Sequence, residues 1–205
     1  MKILSFSTRY LIAMFILLAA CSGGGMAESE LAETEIAESQ PASNTTMLGG
    51  GTSTEVHPGM GGSPRVKVDW VLSDANISIA YGRPYLKGRT VGESVEPLID
   101  KVWRIGADEA TTLMTDKDVM FGEAHIPAGE YTLWTMNMND EFHLIINSET
   151  GQWGTAYDAN HDVAHVAMDV SQLDPPAEQL VLSLDENTFS INWGQMTASV
   201  KIMIH

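Results

Sequence analysis

The sequence predicts an all-β fold: a single antiparallel β-sandwich, jelly-roll-like or barrel-like, with one long loop carrying a short helix. Three observations carry that expectation. Apolar and polar residues alternate with period two from about residue 64 to the end, the pattern of half-buried strands. Clusters of Pro, Gly, Asn and Asp cut the alternation into nine or ten short segments. Only residues 95–101 carry a helical pattern, which leaves no room for the βαβ units of a parallel sheet.

In chain order, Val66, Val68, Trp70 and Leu72 alternate with Lys67 and Asp69, and Ile77, Ile79 and Tyr81 alternate with Asn76 and Ser78. Further strands are expected at 111–115, 119–124, 131–138, 141–147, 163–170 and 179–184. Phe189, Ile191 and Trp193 form one more, and the last runs through Met196, Ala198, Val200, Ile202 and Ile204. The expected turns are Pro127-Ala128-Gly129, Asn139-Asp140, Pro175-Pro176, Asp185-Glu186-Asn187 and Gly194-Gln195. The sandwich domain is therefore assigned to 64–205.

What precedes it has a different texture. Lys2 and Arg9 open the chain, an uncharged apolar run of 11 residues follows, and Leu18-Ala19-Ala20-Cys21 closes it. That run is too short to span a bilayer, which takes about 20 apolar residues, and it reads as a targeting signal over 1–21. Its end resembles a bacterial lipobox, which implies lipidation of Cys21 and a membrane anchor in the cell envelope. Ser22 after the cysteine implies sorting to the outer membrane. Residues 22–63 are rich in Gly, Ser, Thr, Ala and Glu, with no aromatic and no Lys or Arg, and are expected to be a disordered acidic tether.

Charge narrows the partners. The chain has 11 basic and 27 acidic residues, and losing Lys2 and Arg9 with the signal takes the formal charge from −16 to −18. Nucleic acid is excluded as a partner of the overall field. With Cys21 lipidated no cysteine remains for a disulfide, a thiolate nucleophile or a thiolate metal site. Against this background Arg83, Lys87, Arg89, Lys101 and Arg104 fall within 22 residues.

That window is framed by Tyr81-Gly82-Arg83-Pro84, Lys87-Gly88-Arg89 and the run from Val102 through Trp103-Arg104-Ile105-Gly106-Ala107-Asp108-Glu109-Ala110 to Thr111. Pro127-Ala128-Gly129-Glu130-Tyr131-Thr132-Leu133, Trp153-Gly154, Tyr157 and Asp162 continue the pattern. Over 64–205 the chain resembles the bacterial domain-of-unknown-function family 2911, departing from it with Asp108 in place of Asn and Gly82 in place of Ser. The resemblance implies a secreted or lipid-anchored β domain and brings no activity with it.

The residues themselves offer one candidate site. Guanidinium groups suit bidentate recognition of carboxylate or phosphate. Arg83, Lys87, Arg89 and Arg104 could hold an anionic or sugar-like ligand, with Trp103 as an apolar wall and Glu109 orienting an arginine. The competing expectation is structural, in which the arginines pair with Glu93, Glu96, Asp100, Asp108 and Glu109 to fix a long loop. A protein partner in place of a small ligand is a further option.

Other chemistry is weaker. His161 and His165 would lie about 13 Å apart along a strand, too far for one metal, and His143 could meet His165 only across neighbouring strands. Asp158-x-Asn160-x-Asp162 lacks the glycine and the terminal Glu of a calcium loop. Met136 and Met138 share a strand face with Trp134, as packing residues do. No nucleophile elbow, phosphate loop, metal motif or cofactor motif is present. The leading expectation is a non-catalytic ligand- or partner-binding module. The alternatives are a hydrolase-type enzyme using Glu109 or Asp108, and a purely structural envelope protein.

Overall fold

Alternation becomes two antiparallel sheets. The computed structural model describes residues 45–138 and 141–205. The expected targeting signal, Cys21, residues 22–44 of the expected tether and the Asn139-Asp140 turn lie outside the described residues.

The strands are β1 (Thr45–Leu48), β2 (Gly51–His57), β3 (Arg65–Leu72), β4 (Ala75–Gly82), β5 (Thr111–Thr115), β6 (Val119–Phe121), β7 (Ala124–Ile126), β8 (Gly129–Met138), β9 (Glu141–Asn147), β10 (Asp162–Ala167), β11 (Asp169–Asp185) and β12 (Thr188–Ile204). One sheet has eight strands in the order β1-β2-β3-β4-β5-β8-β9-β10, and the other has four in the order β11-β12-β6-β7. The sheets are not closed into a barrel. The chain passes from the large sheet to the small one at Met168, whose N–H donates to the Phe142 carbonyl at 2.8 Å.

The alternating residues meet between the sheets. Val68, Ile79, Tyr81, Leu113, Leu133 and Leu144 of the large sheet pack on Leu180, Leu182, Phe189, Ile191, Trp193 and Phe121 of the small one, all at or near zero exposure. At about 25 cal/mol per Å² of apolar surface, this layer is the main source of stability. A smaller cluster lies on the other face of the large sheet, where Trp134, Ile145 and Ala110 are covered by Val102, Met136 and Tyr157. Met136 is thus a packing residue, as its spacing implies.

Four expectations are corrected. First, the tether does not extend to residue 63: β1 and β2 form a hairpin that pairs with β3, with Thr54 opposite Lys67 and Ser53 opposite Val68. This segment needs no aromatic of its own, because Trp70 and Val68 fill the space beneath Gly51, where a Cβ would stand 2.8 Å from each. Second, residues 95–101 are not helical. Val91 and Val95 form an isolated bridge, Pro97 lacks an N–H, and Asp100 has φ +55°.

Third, Pro175-Pro176 and Gly194-Gln195 do not separate strands. They face each other as register shifts within β11 and β12, each a single 17-residue strand. Gly194 takes φ +59° at this shift, a left-handed conformation that favours glycine. Fourth, 119–124 is not one strand, since β6 and β7 turn back on each other with Phe121 opposite Ala124.

Candidate functional site

The segment from Trp103 to Thr111 is a tightly held loop at the end of β4. It approaches β4 at two glycines: a Cβ on Gly106 would lie 2.8 Å from the Gly82 carbonyl, and one on Gly82 would lie 2.3 Å from that of Ala107. Ile105 has φ +54° and is fully buried, an uncommon conformation for a β-branched residue. The conformation is held by Thr111 Oγ1, which donates to the Ile105 carbonyl at 3.0 Å, and by Trp103 Nε1, which donates to Gly106 O at 3.3 Å. Asp108, also left-handed at φ +63°, accepts a hydrogen bond from Met60 N at 2.8 Å.

Beneath this loop lies Arg65, which the sequence did not single out. It sits at the start of β3, 9 % exposed, and donates to the carbonyls of Ala80, Glu109 and Ala110 at 3.2, 3.4 and 3.0 Å. Its Nη1 is 3.7 Å from Glu109 Oε2. Burial lowers the guanidinium from its ordinary value, while Glu109 and then Asp108 oppose that shift. Glu109 Oε1 lies 3.1 Å from His57 Nε2, and Gly59 N–H donates to His57 Nδ1. With Nδ1 accepting from Gly59, Nε2 is the ring nitrogen placed to donate to Glu109.

The six residues expected to form one site have different surroundings, and of them Arg89 alone lines the groove described below. Trp103 is 4 % exposed and belongs to the core, so it offers no wall to a ligand. Arg83 donates through Nε to Leu180 O at 3.0 Å. The Arg104 stem crosses Gly154, where a Cβ would meet its Cδ at 1.7 Å. Lys87 Nζ donates to the Gly61 carbonyl at 3.4 Å. Arg89 donates from Nε to Leu86 O at 2.8 Å and from Nη2 to Tyr85 O at 2.6 Å. The competing ion-pair expectation is not met either. Among the described residues, Arg83, Arg89 and Arg104 make no salt bridge; Arg83 and Arg89 donate to backbone carbonyls, and the Arg104 Nε is buried without a hydrogen-bond partner. A carbonyl cap can come from any residue type, so side-chain composition carries no signal for it.

The expected loop does border a cavity, at its N-terminal half. Residues 84–86 lie along the outer edge of β11, with Leu86 N donating to Glu178 O at 2.8 Å and Leu180 N donating to Pro84 O at 3.1 Å. The far end of the loop is tied down by Trp193 Nε1, which donates to Glu96 O at 2.9 Å. Between these anchors Leu86, Val91 and Pro97 roof a groove of about 870 Å³, open at the end of the sandwich. Phe142 and Asn137 contribute from β9 and β8, and Val170, Gln172 and Met196 from β11 and β12.

The register shows why the groove forms. Val170 is opposite Ala198, and Gln172 is opposite Met196. Directly opposed residues of an antiparallel pair share a face, and Ala198 faces the core. Val170 therefore points inward yet is 53 % exposed, because the sheets are not filled against each other at this end. Arg89 is the single charged side chain among the described residues that line the groove. Glu141 and Asp169 border a smaller recess that shares Phe142 and Val170.

The model of a family described as Protein of unknown function (DUF2911) matches residues 63–202. The chain belongs to this family. No curated protein and no solved structure matches it. The DUF2911 match takes in both the groove and the Trp103–Thr111 loop, while β1, β2 and His57 precede it.

Elsewhere in the DUF2911 chain several titratable groups are paired locally. Asp162 accepts from Tyr157 Oη at 2.5 Å and from Asn147 Nδ2 at 2.8 Å, and lies 2.8 Å from His165 Nε2. Burial, followed by the bond to Asp162, raises the Tyr157 hydroxyl well above its ordinary value. Asp158 caps a short 3-10 turn, Ala159–His161, that leads into β10. His143 and His165 face the same side of adjacent strands, paired with Ala167 and Ile145. Among the described residues no three His, Cys, Asp or Glu are grouped to hold a metal.

Proposed function

We propose that this protein is a binding module that takes a small, largely apolar ligand into the open end of its sandwich. One observation carries the reading: Val170, Phe142 and Met196 face the inter-sheet layer, yet border a groove of about 870 Å³. That volume falls within the range of about 300–1,000 Å³ common to small-molecule sites. Leu86, Val91 and Pro97 add apolar roof atoms on a loop anchored at both ends, so the site is largely preformed.

The enzyme reading through Glu109 or Asp108 has less support, since neither carboxylate lines the groove. Glu109 is instead engaged by His57 and Arg65. The proposal places the module in the bacterial cell envelope, carried on the outer membrane by lipid on Cys21. A Cys21→Ala chain is then expected in the soluble rather than the membrane fraction.

The binding test uses N-phenyl-1-naphthylamine, an uncharged apolar reporter that brightens on leaving water. Saturable 1:1 enhancement is expected with the purified protein, and loss of that enhancement in Val170→Asp at an unchanged melting temperature. Equal enhancement in both proteins, or none in either, would sink the reading.

A further inference from the structure

The groove has a polarity that narrows its ligand, and we infer that it selects a single-headed long-chain carboxylate, with the head on Arg89 and the chain against Val91, Phe142, Val170 and Met196. The inference rests on the groove being a ligand site and adds the class of ligand.

The head-group argument comes from the guanidinium. Its planar fork presents two edges with paired N–H donors: Nε with Nη2, and Nη1 with Nη2. In Arg89 the first edge is occupied, because Nε donates to Leu86 O at 2.8 Å and Nη2 donates to Tyr85 O at 2.6 Å. Two successive carbonyls thereby fix the plane of the group at the groove rim. The remaining edge, Nη1 with the second Nη2 proton, has no protein acceptor among the described residues. Two parallel donors on a fixed plane match the two oxygens of one carboxylate.

Charge placement favours the same class. The chain carries 27 acidic residues against 11 basic ones, yet no carboxylate is among the described residues lining the groove. Glu141 and Asp169 lie beyond Phe142 and Val170, around the smaller recess. A cationic head is repelled by Arg89, and a second anionic head placed toward the recess meets those two carboxylates. One anion and one apolar chain satisfy both ends. Neutral polar groups on the lining, Asn137, Gln172 and Gln195 among them, do not oppose a carboxylate.

The test is isothermal titration of the purified protein with decanoate, decan-1-ol and decyltrimethylammonium, each below its micellar concentration. Decanoate is expected to bind about threefold to tenfold more tightly than decan-1-ol, the range for an exposed charge-assisted pair. The trimethylammonium compound is expected to bind most weakly. Extending the chain from octanoate to dodecanoate is expected to tighten binding by up to about fourfold per methylene. Arg89→Gln is expected to weaken decanoate more than decan-1-ol and so to close the gap between them. Equal affinity of decanoate and decan-1-ol in the unmodified protein overturns the head-group assignment while leaving an apolar site standing. Absence of binding by all three removes the binding reading itself.

Discussion

Gly82 and Gly106 meet backbone to backbone, so close that a Cβ on Gly106 would stand 2.8 Å from the Gly82 carbonyl oxygen. The contact seats the Trp103–Thr111 loop on the end of β4 and brings Glu109 and Ala110 over Arg65. Neither glycine is replaceable by a larger residue without moving main chain. Gly106→Ala and Gly82→Ala are each expected to cost about 1–3 kcal/mol, the range for overpacking. The urea midpoint measures it, with an unchanged slope showing that the unfolded state is not involved. The double variant should cost less than the sum, because both side chains relieve their clash by the same loop shift.

Arg65 is the second support of that loop. Its guanidinium satisfies three carbonyls and stands beside Glu109, so removing it leaves those acceptors under a covering loop. Arg65→Met is expected to lose about 2–4 kcal/mol, and Arg65→Lys nearly as much, because an ammonium cannot reproduce the fork. Glu109→Gln should cost less than Arg65→Met, since a glutamine oxygen still accepts from His57. Thermal melts of the three variants test the ranking, and an Arg65→Lys protein that melts with the wild type would refute it.

These two contacts mark where the sequence stops being legible. The alternation of Val68, Ile79, Leu133 and Ile191 specifies strands and their buried face, because period two is a property of one strand alone. The Gly82–Gly106 approach and the Arg65 cap depend on which main-chain atoms the fold brings opposite each other, and a carbonyl belongs to every residue. Arg65 alternates with Val66 as Lys67 does, so nothing in the sequence separates the buried arginine from the exposed lysine. The groove is hidden for a similar reason. Val170 and Met196 fit the pattern of core residues, yet Val170 is exposed and Met196 only partly buried where they border the groove. The β1–β2 hairpin is hidden in the sequence because the apolar side chains under its Gly51, Val68 and Trp70, belong to β3.

That hairpin gives a prediction of its own. A chain shortened to begin at Pro64 loses the Gly49 carbonyl that accepts from Trp70 Nε1 at 2.9 Å. It also turns β3 into an edge strand with unpaired main-chain groups. A loss of at least about 2 kcal/mol is expected, from the hydrogen bond and the apolar surface laid bare. Size-exclusion chromatography should also show larger species formed by edge-to-edge pairing. A shortened chain that is monomeric and melts with the parent would show that β1 and β2 are dispensable.

Acid sensitivity is expected at Asp116. Its carboxylate accepts from the Asn76 side-chain amide at 2.5 Å and from Asn76 N–H at 2.7 Å, joining the turn after β5 to the start of β4. Those two bonds, the side-chain one first, hold Asp116 below its ordinary carboxylate value, with Lys117 adding a smaller pull. In the unfolded chain the group titrates near its ordinary value of about 3.9. A group depressed in the folded state stabilises fully above the unfolded value, and that contribution is lost as pH falls through the folded one. Asp116→Asn removes it by placing an amide donor against the Asn76 amide. The wild type should therefore melt above Asp116→Asn at pH 6, with the gap narrowing below about pH 4. Melts from pH 6 to pH 3 provide the check, and a gap that stays constant to pH 3 means the carboxylate charge contributes nothing at this turn.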